Sequence, residues 1–473
     1  MRAIKIKNSW LEESDLRLDS PFHLSEGVVT KRLLDKFCPY TITDLKNEVS
    51  ELFKGDIHKR VYVSPGNGSL EFYSASDLLK TSILNPKHVS KKYSPHLETL
   101  KLHPGWILIS RSGTLGNILL TNKTHEGIIG TDDLVRLKPK ENQILKGVLY
   151  AYLASKYGYG LLTQSGYGGV VKHIEPHHIE NLPIPIFPND LQKTIDDLIS
   201  KSSNLREKAK GELISATNQV LNQTSLPEID YSEFEHFGNH KADRRPTSFV
   251  RKRSEITSFT INAFNYSKKV ERLENRVRQS IFLELQDCLD ENKFFSSGSF
   301  KRFELESPNS IRLINQSDIF NLRKQGKMLA KIYVKSDKLV EYGEVLIAGV
   351  GTLGEGETFC RTIFANEELE GQLISGEFIR MKTNSKVPSG YLYAWLSSDY
   401  GFRFIRKTQS GTKLCRPIHE LLKNIPVPII EKEEMLKIDE QVKKAYTMLF
   451  EALNAENKAI ELVEREIESW QKS

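Results

Sequence analysis

Cysteine is scarce. Four residues in 473, Cys38, Cys288, Cys360 and Cys415, stand so far apart that no Cys-x-x-Cys pair exists. This argues against both a disulfide framework and a zinc site of the usual ligand spacing, and it suits a reducing compartment. Long apolar runs are missing too. No stretch reaches the ~18 residues of a membrane span, and Met1-Arg2-Ala3-Ile4-Lys5-Ile6-Lys7 alternates charge where a signal peptide would carry an apolar core. A soluble, cytoplasmic protein with no membrane contact is expected. Neither sign of charge dominates: 67 Lys and Arg against 61 Asp and Glu leave a net +6, which permits a polyanionic partner without requiring one.

Recognisable catalytic machinery is also absent. Gly351-Thr352-Leu353-Gly354-Glu355-Gly356 is glycine-rich, but Thr358-Phe359-Cys360-Arg361-Thr362-Ile363-Phe364 after it reads as strand, not as the helix a dinucleotide loop needs. Asp132-Asp133 with Lys138, and Glu377 with Lys382, resemble the acid-and-lysine strands of nucleases, yet they alternate with apolar residues and lack an upstream acidic partner, so they read as strand faces. His173, His177 and His178 have no cysteine or carboxylate partners and read as a loop. No Asp-Pro-Pro-Tyr-like motif of an amino-methyltransferase occurs. No metal, cofactor or catalytic residue is expected in this chain.

What the chain does have is itself, twice. Gly105-Trp106-Ile107-Leu108-Ile109-Ser110-Arg111-Ser112-Gly113-Thr114-Leu115-Gly116 returns 238 residues later as Gly343-Glu344-Val345-Leu346-Ile347-Ala348-Gly349-Val350-Gly351-Thr352-Leu353-Gly354. Leu149-Tyr150-Ala151-Tyr152-Leu153-Ala154-Ser155-Lys156-Tyr157-Gly158 matches Leu392-Tyr393-Ala394-Trp395-Leu396-Ser397-Ser398-Asp399-Tyr400-Gly401 at an offset of 243. Thr163-Gln164-Ser165-Gly166 matches Thr408-Gln409-Ser410-Gly411, and Asn181-Leu182-Pro183-Ile184-Pro185-Ile186 matches Asn424-Ile425-Pro426-Val427-Pro428-Ile429. Upstream the likeness thins to Ser76-Asp77-Leu78 against Ser317-Asp318-Ile319 and Leu18-Asp19-Ser20 against Ile261-Asn262-Ala263. Solenoid repeats have periods of only about 20 to 50 residues, so this period means a duplicated domain.

Each repeat reads as a mixed, strand-rich α/β globule, the first with a helix from Lys146 to Tyr157 and an exit strand at its paired prolines. Each then runs into a long amphipathic helix. Asn189-Asp190 is expected to cap the first, whose seam is Leu191, Ile195, Leu198, Ser202, Leu205, Ala209, Glu212, Ala216 and Val220, ending near Asn222. The second seam is Ile438, Val442, Ala445, Leu449, Ala452, Glu456, Ala459, Val463, Ile467 and Trp470. Helices of roughly 50 to 60 Å outrun a domain of this size, so they are expected to pair with each other, antiparallel, with the globular repeats held apart at opposite ends of a rod. The divisions are 1–187, a helix at 188–225, 226–430, and a helix at 431–473. Between the first helix and the second repeat, Arg244-Arg245 and Arg251-Lys252-Arg253 form either a solvated basic connection or a phosphate-contacting arm.

Taken together, the Gly-Thr-x-Gly strands, Gln-Ser-Gly loops and Ile-Pro-x-Pro exits into long helices, each present twice and in order, resemble the specificity subunit of type I restriction-modification systems. The resemblance implies two target recognition domains, each reading one half of a split double-stranded DNA sequence, separated by two long antiparallel coiled-coil helices. It implies two DNA methyltransferase subunits as partners and, in restricting systems, motor/nuclease subunits. Methyl transfer from S-adenosylmethionine, to adenine, would belong to the partners. The readings of other class are a coiled-coil scaffold with protein-binding heads and a stand-alone nuclease. Basic or amide groups in glycine-punctuated loops nominate DNA contacts. In the first repeat these are Lys87, Lys91, Lys92, Tyr93, Arg111, Ser112, Gln164 and Lys172; in the second, Lys324, Lys327, Lys331, Thr352, Gln409, Lys413 and Arg416.

Overall fold

The computed structural model describes residues 20–56, 59–81, 86–113, 115–140, 144–164, 173–235 and 248–471, with residues 6, 8, 11 and 18. In the first repeat lie β1 (Ile42–Asp44), β2 (Val49–Lys54), β3 (Ser69–Tyr73), β4 (Lys87–Ser90), β5 (Ile107–Ser110), β6 (Ile118–Leu120), β7 (Ile129–Gly130), β8 (Leu134–Pro139) and β9 (Pro183–Pro185). They form an antiparallel sheet of order β2-β8-β5-β6, a sheet of order β4-β3-β7 whose β3 and β7 run parallel, and the pair β1-β9. The repeated strand β5 is buried on both faces: Ile107 and Ile109 enter one core and Leu108 another. That is why it reads as a continuous apolar run. The glycines that open it and its copy, Gly105 and Gly343, have φ of 82° and 83°, a left-handed turn that side chains resist.

The second repeat returns most of this plan. It has β10 (Phe282–Glu284), β11 (Ser310–Ile314), β12 (Lys327–Ala330), β13 (Val345–Ala348), β14 (Thr362–Phe364), β15 (Leu373–Ile374), β16 (Phe378–Met381), β17 (Gln409–Ser410), β18 (Arg416–Pro417) and β19 (Pro426–Pro428). Orders β14-β13-β16, β12-β11-β15 and β10-β19 repeat those of the first head, including the parallel pair β11-β15. Here β2 has no full counterpart, only the bridges of Leu289 to Thr383 and Phe295 to Arg380.

The helices are α1 (Glu26–Phe37), α2 (Lys146–Ala154), α3 (Lys156–Gln164), α4 (Asn189–Gln223), α5 (Lys268–Arg278), α6 (Ser389–Ser397), α7 (Asp399–Lys407) and α8 (Lys432–Ser469). The single helix expected over Lys146 to Tyr157 is two. Buried Ser155 breaks it and accepts from the Gly158 N–H at 3.2 Å, capping the next helix, and Ser398 does the same for Gly401 at 3.2 Å. The turn is tight enough that a Cβ at Gly158 would lie 2.1 Å from the Tyr152 carbonyl oxygen. In both heads the first of these helices also ties down the exit strand: Tyr152 Oη donates to the Pro183 carbonyl at 2.8 Å, and Trp395 Nε1 to the Pro426 carbonyl at 3.0 Å.

Helices α4 and α8, of 35 and 38 residues, lie antiparallel. Ile195 and Ile199 share a core with Val463, Ile467 and Trp470, whereas Ala216 and Val220 share one with Met435, Ile438 and Val442. The first of these cores contains the first head and the second core the second head. Two details of α4 differ from expectation. It starts at Asn189 with no side-chain cap, Pro188 standing at the cap position. Its buried stripe is Gln192, Ile195, Ile199, Ser202, Ala209, Ala216 and Val220, not Leu191, Leu198, Leu205 and Glu212. The stripe turns because the helix serves its head: Gln192 Oε1 accepts from the Leu145 N–H at 3.1 Å while its Nε2 donates to the Phe187 carbonyl at 2.9 Å.

The heads are not held apart. Lys80 pairs with Asn321 in an antiparallel bridge, the Thr81 N–H donates to the Phe320 carbonyl at 2.8 Å, and the Leu322 N–H donates to the Leu79 carbonyl at 2.7 Å. Leu79, Lys80 and Thr81 correspond to Phe320, Asn321 and Leu322 at an offset of 241, so each head offers its equivalent segment to the other. Such an isologous contact defines a pseudo-two-fold axis between Lys80 and Asn321, and antiparallel equivalent helices obey the same symmetry. The expected separation of the heads is therefore corrected: they occupy opposite ends of the helix pair yet meet through the turns that follow Ser76-Asp77-Leu78 and Ser317-Asp318-Ile319.

Candidate nucleic-acid interface

On each head, a further segment lies along the outer side of β4 or β12. In the first, Tyr62 pairs with Val89, the Val63 N–H donates to the His88 carbonyl at 3.0 Å and the Ser90 N–H to the Val61 carbonyl at 2.8 Å. In the second, Glu304 pairs with Leu329, the Leu305 N–H donates to the Met328 carbonyl at 2.9 Å and the Ala330 N–H to the Phe303 carbonyl at 2.9 Å. This register sets Arg60 opposite Lys91 and Arg302 opposite Lys331. The chain then turns outward in both heads, fixed by the Lys91 N–H to the Gly68 carbonyl at 2.9 Å and the Lys331 N–H to the Asn309 carbonyl at 3.0 Å. Beyond the turn stand Tyr93, 60% exposed, and Tyr333, 45% exposed. A lysine ammonium lies over each ring, Lys92 at 5.2 Å from the Tyr93 centroid and Lys301 at 4.5 Å from that of Tyr333.

A second cluster lies where the repeated Gly-Thr-Leu-Gly turn meets the Gln-Ser-Gly loop. In the second head, Gly351 and Cys415 exchange backbone hydrogen bonds of 3.1 and 2.7 Å, which sets exposed Thr352 beside the loop of exposed Lys413 and Arg416. The turn is anchored from below, with Arg403 and Arg406 reaching Glu355 at 2.7 and 3.3 Å. Burial, with Arg406 adjacent, pushes the Arg361 guanidinium down to about 9, and it stacks on Phe402 at 3.8 Å. In the first head the equivalent loop meets β5 through the Ile174 N–H and the Arg111 carbonyl at 3.1 Å.

The nominated residues divide accordingly. Lys87, Lys91, Lys92 and Tyr93 gather at the β4 edge, Lys327 and Lys331 at the β12 edge, and Thr352, Lys413 and Arg416 at the second cluster; all are exposed. Others are not placed to meet a ligand. Lys324 is 9% exposed and paired with Glu368 at 2.6 Å, and Gln409 is 2% exposed in β17, where it pairs with Pro417 of β18. Arg111 bonds Glu175 and, at 3.2 Å, Asp133, so its charge is already met. Ser112 is half-buried, and Gln164 packs where a side chain on Gly27 of α1 would have to go. Lys172 and Arg244-Arg245 lie outside the described residues. Arg251, in the basic connection, binds Glu271 at 2.6 Å and the Tyr266 carbonyl. Sequence reasoning missed Lys59, Arg60, Lys301, Arg302 and Tyr333, although Lys59-Arg60-Val61-Tyr62-Val63 does return as Lys301-Arg302-Phe303-Glu304-Leu305 at an offset of 242.

One buried charge holds these surfaces in mutual orientation. Glu456 of α8, 1% exposed, accepts from Arg206 of α4 and from Tyr150 Oη of the first head, and lies 3.1 Å from Arg323 of the second. Burial would raise its carboxyl, but the two guanidiniums and the hydrogen bonds outweigh this and hold it at about 2. Nearby His125 is pushed down to about 4 by burial and by Lys210. Among the described residues, no cluster of His, Cys, Asp or Glu could hold a metal, and no helix is long and apolar enough to cross a membrane.

The fold defines a duplicated α/β protein built on an antiparallel helix pair. Residues 45–216, most of the first head with α4, match the family model of the type I restriction modification DNA specificity domain. No curated protein matches the chain. Among solved structures, it is similar to the type I restriction-modification S subunit from M. genitalium, at 13% identity over 92% of this chain and 96% of that one, with a TM-score of 0.33. It is also similar to the HsdS subunit from Thermoanaerobacter tengcongensis, at 13% identity over 91% and 96%, TM-score 0.28. A chain solved in work on type I R-M complex assembly and conformational transition matches at 13% identity over 92% and 98%, TM-score 0.28.

Proposed function

We propose that this chain acts as a specificity subunit: a non-catalytic reader of a split duplex DNA target, one half bound by each head, that docks DNA methyltransferase subunits. The two target recognition domains are the two heads, and α4 and α8 form the coiled coil on which both are mounted. S-adenosylmethionine is bound by the methyltransferase partners, and motor/nuclease subunits join where the system restricts. The observation that carries this reading is the pseudo-two-fold relation of the heads. A DNA duplex has two antiparallel strands and so local two-fold symmetry of its own, and a protein dyad lets equivalent elements approach two half-sites in equivalent ways.

The test is an exchange of residues 1–187 for the matching domain of a relative, with methylation sequencing of cells that carry the assembled system. One half of the methylated sequence should change while the other half and the spacer persist. A change in both halves, or methylation independent of this chain, would refute the assignment. Sequence-selective, salt-dependent binding of duplex DNA separates it from the protein-scaffold reading, because only phosphate contacts give a steep salt slope.

A further inference from the structure

The two heads differ over most of their surfaces, yet at the β4 and β12 edges they carry the same residues at the same structural positions. Lys59, Arg60 and Lys91 correspond to Lys301, Arg302 and Lys331, at offsets of 242, 242 and 240. Lys87 likewise corresponds to Lys327, and Tyr93 to Tyr333. The correspondence is of backbone as well as of sequence, since the same three hydrogen bonds build the edge and its turn in both heads. Interleaved with these shared positions are unlike residues: Tyr62, which packs on Phe72, against Glu304; His88, which bonds Ser69, against Met328; and, exposed in both heads, Lys92 against Ile332, the last 87% exposed.

We propose that this duplicated basic edge grips the sugar-phosphate backbone at each half-site, while the unlike exposed residues beside it, Lys92 in one head and Ile332 in the other, face the bases. The inference rests on the DNA-reading function proposed above and goes beyond it by dividing one surface into two roles. Residues shared by two heads suit what every half-site shares, which is the phosphate chain; residues that differ suit what distinguishes half-sites. Charge favours a polyanion as the occupant. Arg302 is exposed and opposite exposed Lys331, with Lys301 beside them, and exposed Lys59 and Lys91 repeat this on the first head. Two members are partly neutralised, Arg60 by Asp132 and Lys327 by Glu304, so the others supply most of the attraction. The tyrosines add a hydroxyl donor at the rim.

The experiment compares the assembled complex carrying Lys59→Gln with Lys91→Gln, Arg302→Gln with Lys331→Gln, or all four, binding its methylated sequence between 50 and 200 mM salt. Each cation removed from a phosphate should flatten the log-log salt slope by about 0.9, so each pair should remove about 2 and the quadruple variant about 4. The preferred bases of both half-sites should stay the same, and Lys or Arg restored at each position should restore the slope. A slope unchanged in the quadruple variant, or a shift in the bases preferred, overturns the inference. Failure of the unaltered complex to bind DNA selectively would instead sink the function on which it rests. Matching thermal unfolding of the variants, expected for exposed side chains, separates a weakened grip on DNA from a damaged fold.

Discussion

Glu456 offers the sharpest test of how the heads are locked. It meets a side chain from the other long helix and one from each head, so replacing it by Gln should loosen a junction of four parts. Two routes give the magnitude. Its carboxyl is held at about 2 against an ordinary 4.5, a difference worth about 3 kcal/mol. Breaking one partner of a buried pair costs about 3–5 kcal/mol by general experience. The sign follows from the direction of the shift: a carboxyl depressed in the folded chain contributes above pH 4.5, and that contribution is lost as pH falls from about 4.5 to about 2. Denaturant unfolding at pH 7 should therefore show Glu456→Gln weaker by about 3 kcal/mol in the transition that releases the heads, with a flatter acid limb than the unaltered chain.

The opposite side of the pseudo-axis supplies a control. At an offset of 243, Arg206 and Glu456 correspond to Leu449 and Leu213, which are partly buried against the second head's core. Arg206→Leu combined with Glu456→Leu copies that solution, and it should recover most of the loss because an apolar pair often equals or exceeds a buried ion pair. Arg323 would lose its partner and, with Nε and Nη2 buried although its side chain is 38% exposed, would retain part of the loss. Unchanged stability and an unchanged acid limb in Glu456→Gln, or a double variant no better than the single one, would show that the junction carries no such energy.

Gly158→Ala and Gly401→Ala should each destabilise by about 1–3 kcal/mol or more in thermal melts, because the new Cβ would meet backbone at 2.1 and 2.5 Å. Trp470→Ala should cost about 3–5 kcal/mol, since Trp470 is 4% exposed and packs on Tyr40 and Phe187; protease sensitivity of the α8 end should rise with it. Thr81→Pro removes the donor to the Phe320 carbonyl and should leave the recognised bases alone while relaxing discrimination among spacer lengths, roughly fivefold for about 1 kcal/mol, read by competition among duplexes of graded spacer.

The duplication was legible because its strongest elements sit where both faces are buried. Ile107-Leu108-Ile109 and Val345-Leu346-Ile347 have little freedom to vary, and the exit prolines fix φ. The stripe of α8 was legible for the same reason: of its ten expected residues, only Leu449 is not fully buried. The stripe of α4 was legible in part: Ile195, Ser202, Ala209, Ala216 and Val220 are buried as expected, but Gln192 is buried to serve backbone groups, and no apolar period announces that. Surface elements escaped for a different reason. Lys59-Arg60 and Lys301-Arg302 are followed by unlike residues, Val61-Tyr62-Val63 against Phe303-Glu304-Leu305, so a two-residue identity has no pattern to stand on until the strand register aligns it. Lys324 and Gln409 failed the other way, since sequence gives residue type but not the partner, here Glu368, that lets a cation be buried.

A buried arginine shows how far the heads can diverge without losing their common frame. Arg136 and Arg380 occupy equivalent positions in β8 and β16, both essentially without exposure. Arg380 grips Glu344 with two bonds of 2.8 and 2.7 Å, but the position equivalent to Glu344 is Trp106 in the first head. Arg136 therefore donates to the carbonyls of Leu134, Gly130 and Thr131 at 3.0, 3.1 and 3.0 Å, and burial pushes it down to about 10. The same cation has been satisfied once by a carboxylate together with the Lys338 and Leu339 carbonyls, and once by carbonyls alone. Backbone partners do not change when side chains do, and the bonds common to both heads are of this kind, from the proline carbonyls of the exit strands to the reciprocal bonds at the pseudo-axis. A frame held through main-chain groups leaves the side chains between them at liberty to change, which is what two heads with one geometry and two surfaces require.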